Sequence, residues 1–170
     1  MFSDARRVDL IDTNPFAGLR VRGSRGRKDL DVLSVAVVER LAACVAEVWD
    51  GEVALTVAAL VLTAAFVGMR PAELYGPRWS DLDLRNDEVR VERQYSARTR
   101  TFELPKNGLK RTIVLAAQAR AALSQMPRPM NADELIFRGR RGGPLTGRTQ
   151  HYYWHPSVVV SAGRRWTSTS

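Results

Sequence analysis

The chain has 170 residues and a formal net charge of +8, from 26 lysines and arginines against 18 acidic residues. That length is enough for one domain with a proper core, and the basic balance suits a protein that binds a polyanion through its phosphates, without separating DNA from RNA. The single cysteine, Cys44, excludes a disulfide within the chain.

The opening residues include Asp4, Arg6, Arg7 and Asp9 and no apolar core, so no secretory signal is expected. Asn14-Pro-Phe-Ala-Gly-Leu19 precedes residues 20 to 28, a run rich in Arg and Gly. It reads as a flexible basic segment suited to lying along a polyanion, with Arg25, Arg27 and Lys28 as candidate contacts; a plain tail is the competing reading. Ser34 is placed to cap a helix over 35–49, whose apolar positions are Val38, Leu41, Ala42 and Val45. Cys44 lies on that face beside Leu41, Val45 and Val48, which predicts a buried structural thiol.

Residues 53 to 67 are almost wholly apolar, the pattern of a buried helix. The run is short for a membrane span and contains Thr56 and Thr63, so no membrane partner is expected. Gly68 is the residue type that ends a helix in the left-handed conformation, and Pro71 suits the first position of the next one. Arg70 is thereby held at a corner between two buried elements. Leu74 can pack inward while the Glu73 carboxylate braces the guanidinium, whose fork matches a carboxylate or a phosphate. An arginine so held is placed to grip a phosphate; a surface arginine beside a helix cap is the alternative.

Residues 89 to 95 and 99 to 104 have strand composition, and Pro105-Lys-Asn-Gly-Leu-Lys-Arg-Thr-Ile-Val-Leu115 supplies a turn and a further strand. Taken alone, this is also what a solvated basic hairpin looks like. A short helix is predicted over 116–125, broken by Pro127, Pro129 and Asn131. Pro156 would kink or end any helix that ran through residues 149–163.

Gly68-Met-Arg-Pro-Ala-Glu-Leu74 followed by Trp79-Ser-Asp-Leu-Asp-Leu84 resembles the first-arginine box of the tyrosine recombinases of the phage integrase family, T-G-[LM]-R-x-[GS]-E-[LI]-x-x-L-[RK]-W-x-D-[IV]-D. Val67 stands where Thr is usual, Ala72 replaces another small residue, and Pro77 replaces Leu. The resemblance implies an α+β fold, mainly helical, with a small three-stranded antiparallel sheet. It implies catalytic roles for Arg70 and for Lys106, the latter in the turn between the second and third strands, with Glu73 in support. Lys110 and Arg111 then match basic positions that look like DNA-backbone contacts. Asn14 to Leu19 resembles the end of the family's core-binding domain, and Leu135-Ile-Phe137 with the glycines up to Pro144 resembles a later segment. The implied organisation is 1–33 as the end of the core-binding domain and linker, 34–163 as a partial catalytic domain, and 164–170 as a divergent tail.

The family's second box, His-x-x-Arg, occurs nowhere in the chain: His151 is followed three positions on by Trp154, and His155 by Val158. Tyr152 and Tyr153 precede the place of that box and read as packing residues. The family's tyrosine attacks the scissile phosphate while two arginines and a His or Trp stabilise the phosphoryl oxygens and the lysine protonates the leaving oxygen. The expectation is therefore a DNA-binding recombinase fragment, inactive by itself, such as a prophage or mobile-element remnant. Its partners would be duplex DNA and, through self-association, another copy or a full-length recombinase, in the cytoplasm at the nucleoid. The alternative is a non-catalytic basic DNA- or RNA-binding module. The resemblance calls for no cofactor and no metal.

Overall fold

The computed structural model describes Asp12, residues 32–139 and residues 142–144. The readings for Arg25, Arg27 and Lys28, for residues 14–19, and for 149–163 with Tyr152 and Tyr153 lie outside the described residues. The chain divides into two compact units, Met1–Val32 and Leu33–Ser170, and every helix and strand among the described residues belongs to the second.

Helix α1 (Val35–Ala43) begins at Ser34, whose hydroxyl accepts the Val37 N–H at 3.4 Å. The helix expected over 35–49 is shorter than its apolar pattern. From Cys44 to Glu47 the backbone tightens into a 3₁₀ turn, a common helix ending, because the chain must become extended at Asp50 to start the next helix. Cys44 is buried. Helix α2 (Gly51–Phe66) buries Val57, Ala59, Leu60, Val61 and Thr63 and packs against α1 on one side and α4 (Ala117–Gln125) on another. A helix covered on several sides needs apolar residues around its circumference, which explains the near-continuous apolar run. Val67 closes it, Gly68 turns the chain at φ +68°, and α3 (Pro71–Leu74) follows with proline at its first position.

After a 3₁₀ turn at Trp79–Asp81, β1 (Leu82–Asp83) pairs antiparallel with β2 (Glu88–Val91), which pairs antiparallel with β5 (Arg111–Val114). Arg90 stands opposite Thr112 and Val91 opposite Arg111. Val89 and Val91 point into the core while Arg90 faces solvent, the alternation of a half-buried strand. The fold is α+β with a three-stranded antiparallel sheet, as the resemblance implies. The strand assignment differs in one respect. The run 89–95 is two strands: β2 belongs to the three-stranded sheet, while β3 (Gln94–Ser96) pairs with β4 (Thr101–Glu103) in a separate two-stranded ribbon.

The break falls at Glu92 and Arg93, and its cause is local. The Arg93 guanidinium turns onto the buried Asp81 carboxylate. The Arg93 carbonyl lies so close to Gly76 that a Cβ there would sit 2.4 Å from its oxygen. A backbone pinned on both sides leaves the ladder.

One main core gathers Leu60 of α2, Leu74 and Tyr75 of the corner, Trp79, Val89 and Val91 of the sheet, Leu123 of α4, and Ile136 and Phe137. Ile136 is tied to the corner by its N–H donating to the Pro77 carbonyl at 3.0 Å. No helix among the described residues is long and apolar enough to cross a membrane.

Candidate functional site

Two helix ends and one strand make the site. The extended backbone of Arg70 (φ −66°, ψ 149°) places it as the residue that caps α3. Its own N–H donates to Glu73 Oε2 at 2.9 Å, so the Glu73 side chain reaches back over the first turn and satisfies a donor that the helix leaves open. Arg70 Nη1 donates to Glu73 Oε1 at 3.0 Å. The brace between these two residues is therefore present both through the backbone and through the side chains.

The second cation on Glu73 comes from β5. Arg111 Nη1 donates to Oε1 at 2.9 Å and Nη2 to Oε2 at 2.7 Å, a bidentate fork. Each carboxylate oxygen thus accepts two hydrogen bonds. The Glu73 side chain has 0% exposure, whereas Arg111 retains 36% and Arg70 53%. The arrangement holds Glu73 ionised: the fork from Arg111 outweighs the opposing effect of burial and, with the Arg70 contacts, lowers its pKa to about 2. The same pairing raises the pKa of Arg111.

Two guanidinium charges against one carboxylate leave this cluster cationic. Arg70, the more exposed of the two, gives Glu73 only one of its side-chain N–H groups among the described residues. Among the described residues the rest of its fork has no partner, and an anion could meet it there. Chemically, the cluster can hold a phosphate oxygen and stabilise negative charge developing on it.

Lys106 opens the 3₁₀ turn Lys106–Gly108, between β4 and β5, and is exposed. It makes no hydrogen bond or ion pair with another described residue. The turn thus joins the ribbon to the three-stranded sheet, where the resemblance implies two strands of a single sheet. Arg111 lies on the strand that leaves this turn, so the Glu73 fork ties the Lys106 segment to the Arg70 corner through one element. Lys110, also exposed, pairs with Glu92 at 3.6 Å.

Of the residues singled out in the sequence, the structure brings Arg70, Glu73 and Arg111 together, with both terminal nitrogens of Arg111 donating to Glu73. Sequence reasoning missed the Asp81–Arg93 pair. Asp81 accepts the Arg78 N–H at 2.8 Å, capping the 3₁₀ turn, and its other neighbour is the Arg93 guanidinium. Trp79-Ser-Asp81 is thus a structural device that fixes where β1 begins. Among the described residues no group of His, Cys, Asp and Glu side chains is arranged to hold a metal ion.

No family model and no curated protein matches the sequence. Solved structures do. The chain is similar to the Tn1549 transposon integrase in complex with a circular intermediate DNA, with a TM-score of 0.68 at 17% identity over 99% of this chain and 57% of that one. The same integrase in complex with transposon right end DNA gives a TM-score of 0.66 at 18% identity, over 99% and 57% of the two chains. XerA recombinase gives 0.53 at 20% identity, over 81% and 45%. This chain spans about half the length of those it matches. The neighbours are tyrosine recombinases and integrases, and their fold is the fold of this chain.

Proposed function

We propose that this chain is a DNA-binding part of a site-specific tyrosine recombinase, in which Arg70 holds a phosphate of duplex DNA and the turn at Lys106 serves the same phosphate. On this reading residues 34–163 are catalytic-domain sequence, and the segment before them, with Arg25, Arg27 and Lys28, runs along the duplex. The observation that carries it is the cluster of Arg70, Glu73 and Arg111 on a recombinase fold: a buried, ionised carboxylate aims an arginine whose remaining donors face solvent.

Each residue has its own part in this proposal. Arg70 neutralises a phosphoryl oxygen and, in a complete active site, would stabilise the charge that builds up there during attack. Lys106 is the proton donor for the leaving deoxyribose oxygen. Lys110 adds to the cationic surface around the turn. The 170 residues contain no His-x-x-Arg, so they lack the second arginine that the reaction requires. By themselves they bind without cutting, and a full-length recombinase would complete the chemistry. The transposon integrase of similar fold, in complex with a circular intermediate DNA and with transposon right end DNA, supports a mobile-element setting.

Retention of labelled duplex DNA by the purified chain at low ionic strength, run beside a structured RNA of equal length, tests the reading. Retention of the duplex, weakening as salt rises, is the expected result. Loss of duplex binding, or a clear preference for the RNA, contradicts it. A nicked duplex that traps a covalent protein–DNA adduct should yield none with this chain, and an adduct would overturn the claim that it does not cut.

A further inference from the structure

Arg111 sits on the strand that leaves the Lys106 turn, where a basic residue would ordinarily be assigned to the DNA backbone. Its geometry gives it another partner. Both terminal nitrogens donate to Glu73, at 2.9 and 2.7 Å, and the carboxylate that receives them is fully buried. Glu73 in turn holds Arg70 twice, through the backbone N–H at 2.9 Å and through Nη1 at 3.0 Å. Arg111 thus touches the exposed arginine only by way of the carboxylate they share.

We propose that Arg111 is a positioning residue that acts through Glu73: by occupying both carboxylate oxygens it fixes the brace on which Arg70 leans and leaves the Arg70 charge uncompensated for a phosphate. The charge count supplies the reason. With Arg111 in place the cluster holds two cations and one anion. Without it, Glu73 has only Arg70 to answer its charge, so the Arg70 fork is drawn down onto the carboxylate and the cluster becomes neutral. The planar fork of Arg111 reaches both oxygens at once and fixes the plane of the carboxylate, whereas a lysine ammonium at this position would act as a point charge and fix no plane. The role rests on the reading of Arg70 as a phosphate grip.

A double-mutant cycle on the full 170-residue chain separates positioning from direct contact. Duplex retention is measured against salt for wild type, Arg70→Ala, Arg111→Gln and the double variant. Each single variant should weaken retention about fivefold and flatten the salt dependence by about one phosphate contact. The double variant should be no weaker than Arg70→Ala, since Arg111 has nothing left to position. Full additivity, with the double variant's salt dependence flatter by a second phosphate, would make Arg111 a DNA contact and overturn the proposal, as would an Arg111→Gln chain that binds like wild type.

The Arg70 backbone and Nε–Hε resonances in the DNA-free chain give a readout that needs no DNA binding. Both should shift in Arg111→Gln, and unchanged resonances overturn the positioning role. If Arg70→Ala leaves retention untouched, the phosphate reading fails, and these resonances alone then decide the positioning claim. Should Arg111→Gln fail to fold, Arg111→Lys takes its place. It is expected to bind between wild type and Arg70→Ala and to shift the same resonances, and wild-type resonances in that variant contradict the proposal.

Discussion

Glu73 is an acid in a place where acids are costly, and its surroundings make the charge tolerable. Burial alone would favour the protonated form, but the Arg111 fork, then the Arg70 backbone N–H and side chain, lower its pKa to about 2 from an ordinary 4.5. Because the folded-state value lies below the unfolded one, this group's contribution to stability is complete above pH 4.5. It is lost as the pH falls from there through about 2. The amount is on the order of 3 kcal/mol. Denaturant melts across that window should show stability declining with acid, and Glu73→Gln should remove this component of the decline. The Gln variant should also lose about 2 kcal/mol at neutral pH, since it leaves two guanidinium groups without their shared anion. A Gln variant as stable as the parent at pH 7, with the same acid profile, would mean that Glu73 is not the hub described. The Glu73 brace on Arg70 was legible in the sequence because the two are three positions apart at a helix start, a spacing with a known geometry. Arg111 was not, since it lies 38 positions from Glu73, and no local rule connects residues so far apart.

At the scale of elements, two glycines set the corner. Gly68 takes φ +68° so that the chain can leave α2 and deliver Arg70 to the start of α3. Alanine there should cost about 1 kcal/mol in melts, from the left-handed backbone alone. Gly76 is needed for a different reason, the Arg93 carbonyl 2.4 Å from where a Cβ would be. Gly76→Ala should therefore cost more, about 2 kcal/mol, because backbone must move to admit it. A reversed order of these two costs would contradict the packing described. Helices α1, α2 and α4 could be read from periodicity, caps and breakers, each a property of neighbouring residues. The 3₁₀ ending of α1 and the division of 89–95 into two strands could not. The second depends on Arg93 reaching Asp81, 12 positions earlier, and on a glycine across the corner. Strand composition is the same on both sides of such a break, so composition alone predicts a single strand.

For the molecule as a whole, charge and exposed apolar surface pull in different directions. The +8 charge favours association with a polyanion and keeps copies apart in dilute salt. Yet Phe102, Leu104 and Leu109 are exposed around the ribbon and the Lys106 turn, as is Val114 at the far end of β5, and water must order against them. The purified chain should melt broadly, at a midpoint that shifts with protein concentration, and it should aggregate more readily as salt screens its charge. A sharp, concentration-independent melt in both low and high salt would show that those side chains do not drive association.

The claim on which the functional account stands is that Arg70 meets a phosphate. Duplex retention by wild type and by Arg70→Ala, followed from low to moderate salt, tests it most directly. The account predicts straight lines of log affinity against log salt, with the variant about fivefold weaker at the low end and its slope shallower by about 0.9, the signature of one phosphate fewer neutralised by the protein. Parallel lines, or no difference between the two proteins, would contradict it.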